Sequence, residues 1–213
     1  MRKSKKENLA SFHRQSIIDT ATQLFIQKGI TETTMDDIAK AADYSKSTIY
    51  VYFKSKDEIF NHIVYNNILM LKSSLEEAIK SSENVEDCFY SFCNAHVDFQ
   101  EQYPLYFDTM MNSIKKGEEE IRELPILQDI VNVSEEIDGL IIAFLEKGIE
   151  QKQIRSNIES LQTAFTLWAS ICGIISMSYK KEEYIKRYMK VSKSEYLQNG
   201  FKTLLNSILI NPK

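Results

Sequence analysis

The sequence predicts an all-α protein, and three observations predict it. Glycine and proline are scarce, 6 and 3 among 213 residues, too few turn formers for a many-stranded β fold. Apolar residues recur at three- and four-residue spacing along most of the chain. Residues that cap helices stand where those runs begin.

Taken in order, Ile17, Ile18, Ala21, Leu24 and Phe25 predict a first helix over about 12–28. Gly29 closes it, because glycine takes the left-handed backbone at a helix end without penalty. Thr33 or Thr34 caps a short second helix, "MDDIAKAA", whose Asp36 and Asp37 sit in its first turn and suit the helix dipole. After "DYS", Ser45 caps the stretch "KSTIYVYF", which is rich in β-branched and aromatic residues. Periodicity alone fits strand and helix equally. A lone strand between helices would leave its backbone groups unpaired, so the stretch is a helix. Ile49 and Phe53, four residues apart, then share its inner face.

Ser55, with Glu58 three residues on, opens a long helix to about residue 81. Val85, Cys88, Phe89, Phe92, His96, Phe99 and Tyr103 form the stripe of a helix over about 85–102, and Pro104 opens a short aromatic and Met-rich helix. A charged break, "KKGEEEIRELP", follows. Further helices are expected at about 127–153, 158–188 and 192–210.

Composition excludes several classes. Cys88, Cys93 and Cys172 are odd in number and show no metal-ligand spacing, which argues against a disulfide framework and a zinc site. The start "MRKSKKENLASFHRQ" is basic but no apolar run follows, so a secretory signal is not expected. The most apolar stretch, "AFTLWASICGIISMSY", is short for a membrane span and carries Thr and Ser. The expected location is the cytoplasm, with no membrane partner, no metal and no cofactor. Net charge is -4, yet residues 1–60 hold 10 Lys and Arg against 8 Asp and Glu, while the remainder holds 16 against 22. That polarity suits a nucleic-acid-binding front end on an acidic body.

Residues 34–53 read as helix, three-residue turn, short helix. Ala39 and Ala42 allow a close crossing, and the second helix offers an outward row of Lys, Ser, Thr and Tyr. That is what a helix-turn-helix needs to enter a major groove and bond to phosphates and base edges. Here "IIDTATQLFIQKGITETTMDDIAKAADYSKSTIYVYFKSKDEIF" resembles the amino-terminal pattern of the TetR-type (TetR/AcrR) transcriptional regulators. The resemblance covers about the first quarter of the chain and agrees at many fixed positions; the remainder shares helical character and length.

The resemblance implies a helix-turn-helix domain over 1–55 and a helical effector-binding and dimerisation domain over 56–213. It implies that Thr34, Ser45, Lys46, Ser47, Thr48, Tyr50, Tyr52 and Lys56 contact a double-stranded, near-palindromic operator. Asp43 stands where the family often has glycine, and its charge bears on nearby contacts. The arm Arg2, Lys3, Lys5 and Lys6 reads as disordered and drawn to phosphate non-specifically. In the body, Phe92, His96, Phe99, Tyr103, Phe107, Met110 and Trp168 could line a largely apolar effector pocket; each taken alone reads rather as ordinary core. The last two helices are apolar on more than one face. Phe165, Trp168, Cys172, Ile175 and Tyr179 make one stripe, and Leu167, Ile171, Ile174 and Ser178 another. The resemblance implies that these helices join two subunits. A repressor released or engaged by a small ligand is the first expectation. A regulator answering to a protein partner is the second. An all-helical enzyme is the third, without a nucleophile–base pair or phosphate loop to support it.

Overall fold

The computed structural model describes residues 5–112 and 124–211, with side chains 5, 6 and 110–112 excepted. Arg2, Lys3 and residues 115–123 of the charged break therefore lie outside the described residues, as do the side chains of Lys5, Lys6 and Met110. The chain is all-α: α1 (Lys5–Lys28), α2 (Met35–Ala41), α3 (Lys46–Tyr52), α4 (Lys56–Lys80), α5 (Val85–Gln102), α6 (Pro104–Asn112), α7 (Pro125–Glu150), α8 (Ser160–Lys180) and α9 (Lys193–Ile208). Among the described residues extended pairing is limited to one isolated bridge, Ile154 with Leu209. The described residues divide into two compact units, 5–67 with 124–130, and 68–112 with 131–211.

In the first unit, α1 packs on α2 and α2 on α3. Its core is Ile17, Ala21 and Phe25 from α1, Ile38 from α2, Ile49 and Phe53 at α3, and Ile59 from α4, each at most 1% exposed. Gly29 ends α1 at φ +84°, its N–H donating to the Phe25 carbonyl at 3.0 Å. The first helix begins at Lys5, not near residue 12 as the sequence suggested, so part of the arm expected to be disordered is helical. Residues 5–11 hold no glycine or proline and place Glu7 in the first turn, which favours that extension.

In the second unit, α5 packs against α8 and α9, and α8 against α9. Val85, Cys88, Phe89, Phe92, His96 and Phe99 are all buried, as the stripe requires. Helix α7 ends at Glu150 rather than 153, with Lys152 in the left-handed region at φ +57°. Ile154 then folds back on α7, and a β-carbon at Gly148 would collide with its side chain. The helix expected over 158–188 breaks at Lys180. A single turn, Glu182–Tyr184, leads into a π-helical turn, Ile185–Met189, and Lys190 at φ +61° reverses the chain into α9. The apolar period runs on to Tyr188, so the sequence carried no stop signal there; buried Ile185 pins the turn from inside.

Helix α8 sorts its faces differently from the expected stripes. Cys172 and Ile175 join Leu167, Ile171 and Ser178 as buried residues. Leu161, Phe165 and Met177 are left outward, 57%, 54% and 48% exposed, with half-buried Ala169 and Gly173 between them in the same row. By length and composition this 21-residue helix could cross a membrane.

Candidate nucleic-acid interface

The site is built around the short α3. Ser45 caps it, accepting from the Thr48 N–H at 3.1 Å. The Ser45 hydroxyl also hydrogen-bonds those of Ser47 at 2.8 Å and Thr48 at 2.7 Å. Three predicted contact residues thus form one hydroxyl cluster at the α3 N-terminus, where free N–H groups favour anions. Ile49 is fully buried and Phe53 1% exposed, which fixes the rotation of the helix. Ser45, Lys46, Ser47 and Tyr50 are then exposed, and Thr48 and Tyr52 half-buried. Val51, which the sequence reading left unassigned, also faces outward, at 78% exposure. It follows Ser47 by one helical turn, a relation visible in the sequence but masked by the aromatic residues on either side.

The turn before α3 depends on Asp43, which lies at φ +58°. Asp enters the left-handed region more readily than most residues. Tyr44 N–H returns to the Ala39 carbonyl at 2.9 Å, and the Tyr44 hydroxyl hydrogen-bonds His13 Nδ1 at 2.6 Å. At the start of α2, Thr34 and Asp37 cap each other: Asp37 N–H donates to Thr34 Oγ1 at 3.1 Å, and Thr34 N–H to Asp37 Oδ2 at 2.8 Å. Thr33 is buried and donates instead to the Gly29 carbonyl. The Lys28 ammonium, 2.6 Å from Asp37, and the Thr34 bonds hold the Asp37 carboxyl well below the usual carboxylate range.

Two predicted cationic contacts are engaged within the protein. Lys46 pairs with Asp36 at 2.7 Å, which raises the lysine's pKa. Lys56 donates to the carbonyls of Ile30 at 2.7 Å and Thr31 at 3.2 Å, tying the α1–α2 loop to the start of α4. Ser55 accepts from Glu58 N–H as expected, but the Glu58 carboxylate accepts from Lys54 N–H, one residue earlier than an ideal capping box.

The predicted effector residues fall into separate groups. Phe92 stacks on His96 at 4.7 Å between ring centroids, and Phe99 lies 5.4 Å from Tyr103 and 6.5 Å from Phe107. Trp168 is half-buried and pairs with Phe165 at 5.8 Å. Phe92 borders an apolar void of about 10 Å³ with Phe89, Ile141, Phe144, Leu167 and Ile171. Phe99 and Tyr103 border an open groove of about 490 Å³ between α4 and α5, among Ser74, Glu77, Asn94 and Asp98. Neither space is lined by Phe107 or Trp168. His96 is fully buried; its Nδ1 meets the Phe92 carbonyl at 3.0 Å, and its Nε2 has no hydrogen-bond partner among the described residues. Burial pushes its pKa down to about 4.

Residues 17–63, from α1 into α4, match the family model described as bacterial regulatory proteins, tetR family. Over these residues the chain is similar to the TetR family of transcriptional regulators. It is 29% identical over 205 residues to IcaR of Staphylococcus aureus, a negative regulator of the biofilm operon icaADBC, covering 92% of this chain and 98% of that one. It is 28% identical over 154 residues to the HTH-type transcriptional regulator YhgD of Bacillus subtilis, covering 72% and 78% of the two chains. The fold matches the transcriptional regulator FadR of Bacillus subtilis, solved with stearoyl-CoA, at a TM-score of 0.68 and 17% identity over 91% of this chain and 98% of that one. These relatives and this fold neighbour are named as transcriptional regulators, not as enzymes.

Proposed function

We propose that this protein is a cytoplasmic TetR-type repressor that reads a near-palindromic operator as a dimer. The observation that carries this is the outward face of α3, where Ser45, Lys46, Ser47, Tyr50 and Val51 are exposed on a helix held by buried Ile49 and Phe53. Such a helix presents hydroxyl, ammonium, phenol and methyl groups to base edges and phosphates. Thr34, Thr48, Tyr52 and Lys56 complete the proposed contact set, Lys56 after exchanging its loop carbonyls for a phosphate. Residues 1–55 are assigned to DNA and 56–213 to effector and subunit contact.

The subunit seam is assigned to α8 and α9. The outward row Leu161, Phe165, Ala169, Gly173 and Met177 follows the i, i+4 ridge that packs into a facing helix, with small residues in the middle for close approach. This also accounts for a helix apolar enough for a membrane without assigning it to one. Two-fold pairing of subunits matches a palindromic site.

A small, largely apolar effector is assigned to the aromatic groups around α5, α6 and α8: Phe92, His96, Phe99, Tyr103, Phe107, Met110 and Trp168. The related fold that holds stearoyl-CoA supports this. Control requires the ligand to bind the DNA-incompetent arrangement better than the competent one. The small size of the void at Phe92, about 10 Å³, favours a second reading in which a protein partner replaces the ligand.

Fluorescence anisotropy with a duplex selected by this protein from a random pool tests the DNA reading. Nanomolar to micromolar binding that falls steeply with salt, and loss of at least fivefold with Tyr50→Ala at unchanged melting temperature, are expected. Selection that enriches no sequence overturns it. Thermal shift against apolar acids, alcohols and amines separates the two modes of control; a hit that also changes duplex affinity supports the small effector.

A further inference from the structure

We propose that Arg14 is a positioning residue for DNA reading, a clamp from α1 that sets the C-terminal end of α3 and keeps both its arms only while His62 is neutral. The proposal rests on the assignment of α3 to the operator. Arg14 Nη1 donates to the Tyr52 carbonyl at 2.7 Å, one of the last carbonyls of α3 and one without a partner within the helix. Arg14 Nη2 lies 2.9 Å from His62 Nε2 on α4. The guanidinium carbon sits 4.4 Å from the centroid of the Phe53 ring, and that ring meets His62 edge-on at 5.5 Å. One half-buried cation thus joins the end of α3, its anchoring aromatic and the next helix.

The chemistry of the contact fixes the state of His62. A guanidinium has only donors, so His62 Nε2 must offer its lone pair. A protonated imidazole has none, and its charge would face the arginine. Burial and the neighbouring Arg14 charge lower the His62 pKa, while Glu58 on α4 and Asp129 on α7 act in the opposite direction. The clamp is therefore intact at neutral pH, and protonation in acid removes its second arm. Because α3 has only seven residues, its end carries much of the helix, and Tyr50 and Val51 lie within the last turn that Arg14 holds.

The test measures affinity for the duplex selected from a random pool, with the full chain, from pH 7.5 to pH 5. Arg14→Ala should weaken binding at least tenfold at pH 7.5, about 1.4 kcal/mol, while circular dichroism shows the variant folded at the assay temperature. Arg14→Lys, which keeps the charge but reaches one acceptor, should fall between. His62→Gln supplies an amide oxygen that accepts from Arg14 and does not titrate. Wild type should lose about fivefold more affinity on acidification than His62→Gln. The sign discriminates, because an added positive charge acting through the field alone would raise affinity for DNA. The clamp is overturned by an Arg14→Ala variant that binds within twofold of wild type, or by wild type and His62→Gln following the same pH profile. A wild type that enriches no duplex fails the DNA reading, and this proposal with it.

Discussion

The Lys46 ammonium at the start of α3 lies 2.7 Å from the Asp36 carboxylate in the first turn of α2. Both side chains are more than half exposed, at 59% and 55%. Such a pair adds little to stability, because water screens it and two side chains are ordered to make it. Near a phosphate the same carboxylate is unfavourable, and it occupies the cation that DNA would use.

Asp36→Asn should therefore tighten DNA binding by about three- to tenfold at low salt. The plot of log affinity against log salt should steepen by about one, as one more phosphate is neutralised. The melting temperature should stay within about 2 °C, as expected for a surface pair. Anisotropy titrations at several salt concentrations check this. Unchanged or weaker binding would show that Lys46 does not meet DNA.

At the other end of the outward face, Tyr50 and Val51 differ in kind. Tyr50 carries a hydroxyl that suits a phosphate, whereas Val51 offers methyl groups at 78% exposure to a groove. Tyr50→Ala should weaken binding to all duplexes alike. Val51→Ala should change the preference at one or two positions, most readily for a thymine methyl, by about 1 kcal/mol. Selection repeated with the Val51 variant reads this directly; an unchanged consensus would place Val51 outside the groove.

Much of the first unit was legible because local rules agree there. Gly29, Thr34 and Ser45 each mark a helix end, and Ile49 and Phe53 fix the α3 face. Arg14 and His62 were not legible, since 48 residues separate them and neither breaks a local pattern. Lys56 was read as a phosphate contact, while its bonds to the Ile30 and Thr31 carbonyls depend on a loop placed by tertiary packing. In the second unit, periodicity marked the faces of α5 but could not divide α8 into inner and outer sides. Cys172 and Phe165 are equally apolar in sequence, and only the packing of α5 and α9 buries the first and leaves the second outside.

His96 supplies a pH dependence whose sign is fixed. Its folded pKa of about 4 lies below the ordinary 6.5, so the unfolded chain binds the proton more readily. The stabilising difference is fully present above about pH 6.5 and is lost as pH falls toward 4, about 3 kcal/mol in all. His96→Leu removes that loss and the unpartnered Nε2 while keeping the volume. At pH 7 it should be neutral or stabilising, and urea midpoints of wild type and variant should diverge steadily below pH 6.5. Parallel curves would mean that His96 reaches water in solution.

The row Leu161, Phe165, Ala169, Gly173 and Met177 puts the proposed subunit seam to the test. Phe165 is 54% exposed, so replacing it in an isolated subunit costs little packing. Against a partner helix the same position would be enclosed, and a carboxylate there would be desolvated without a counter-charge. Phe165→Glu should shift the mass measured by light scattering from twice the chain mass toward 24.7 kDa. Helix content should hold, because Ala164, Leu167, Ile171 and Ile175 still bury the inner face of α8. Affinity for the palindromic duplex should collapse by far more than affinity for a half-site, since a monomer forfeits the second contact rather than the first. A wild type that is monomeric at micromolar concentration, or a variant that remains dimeric, would remove the α8–α9 seam and leave palindrome reading without its geometric basis.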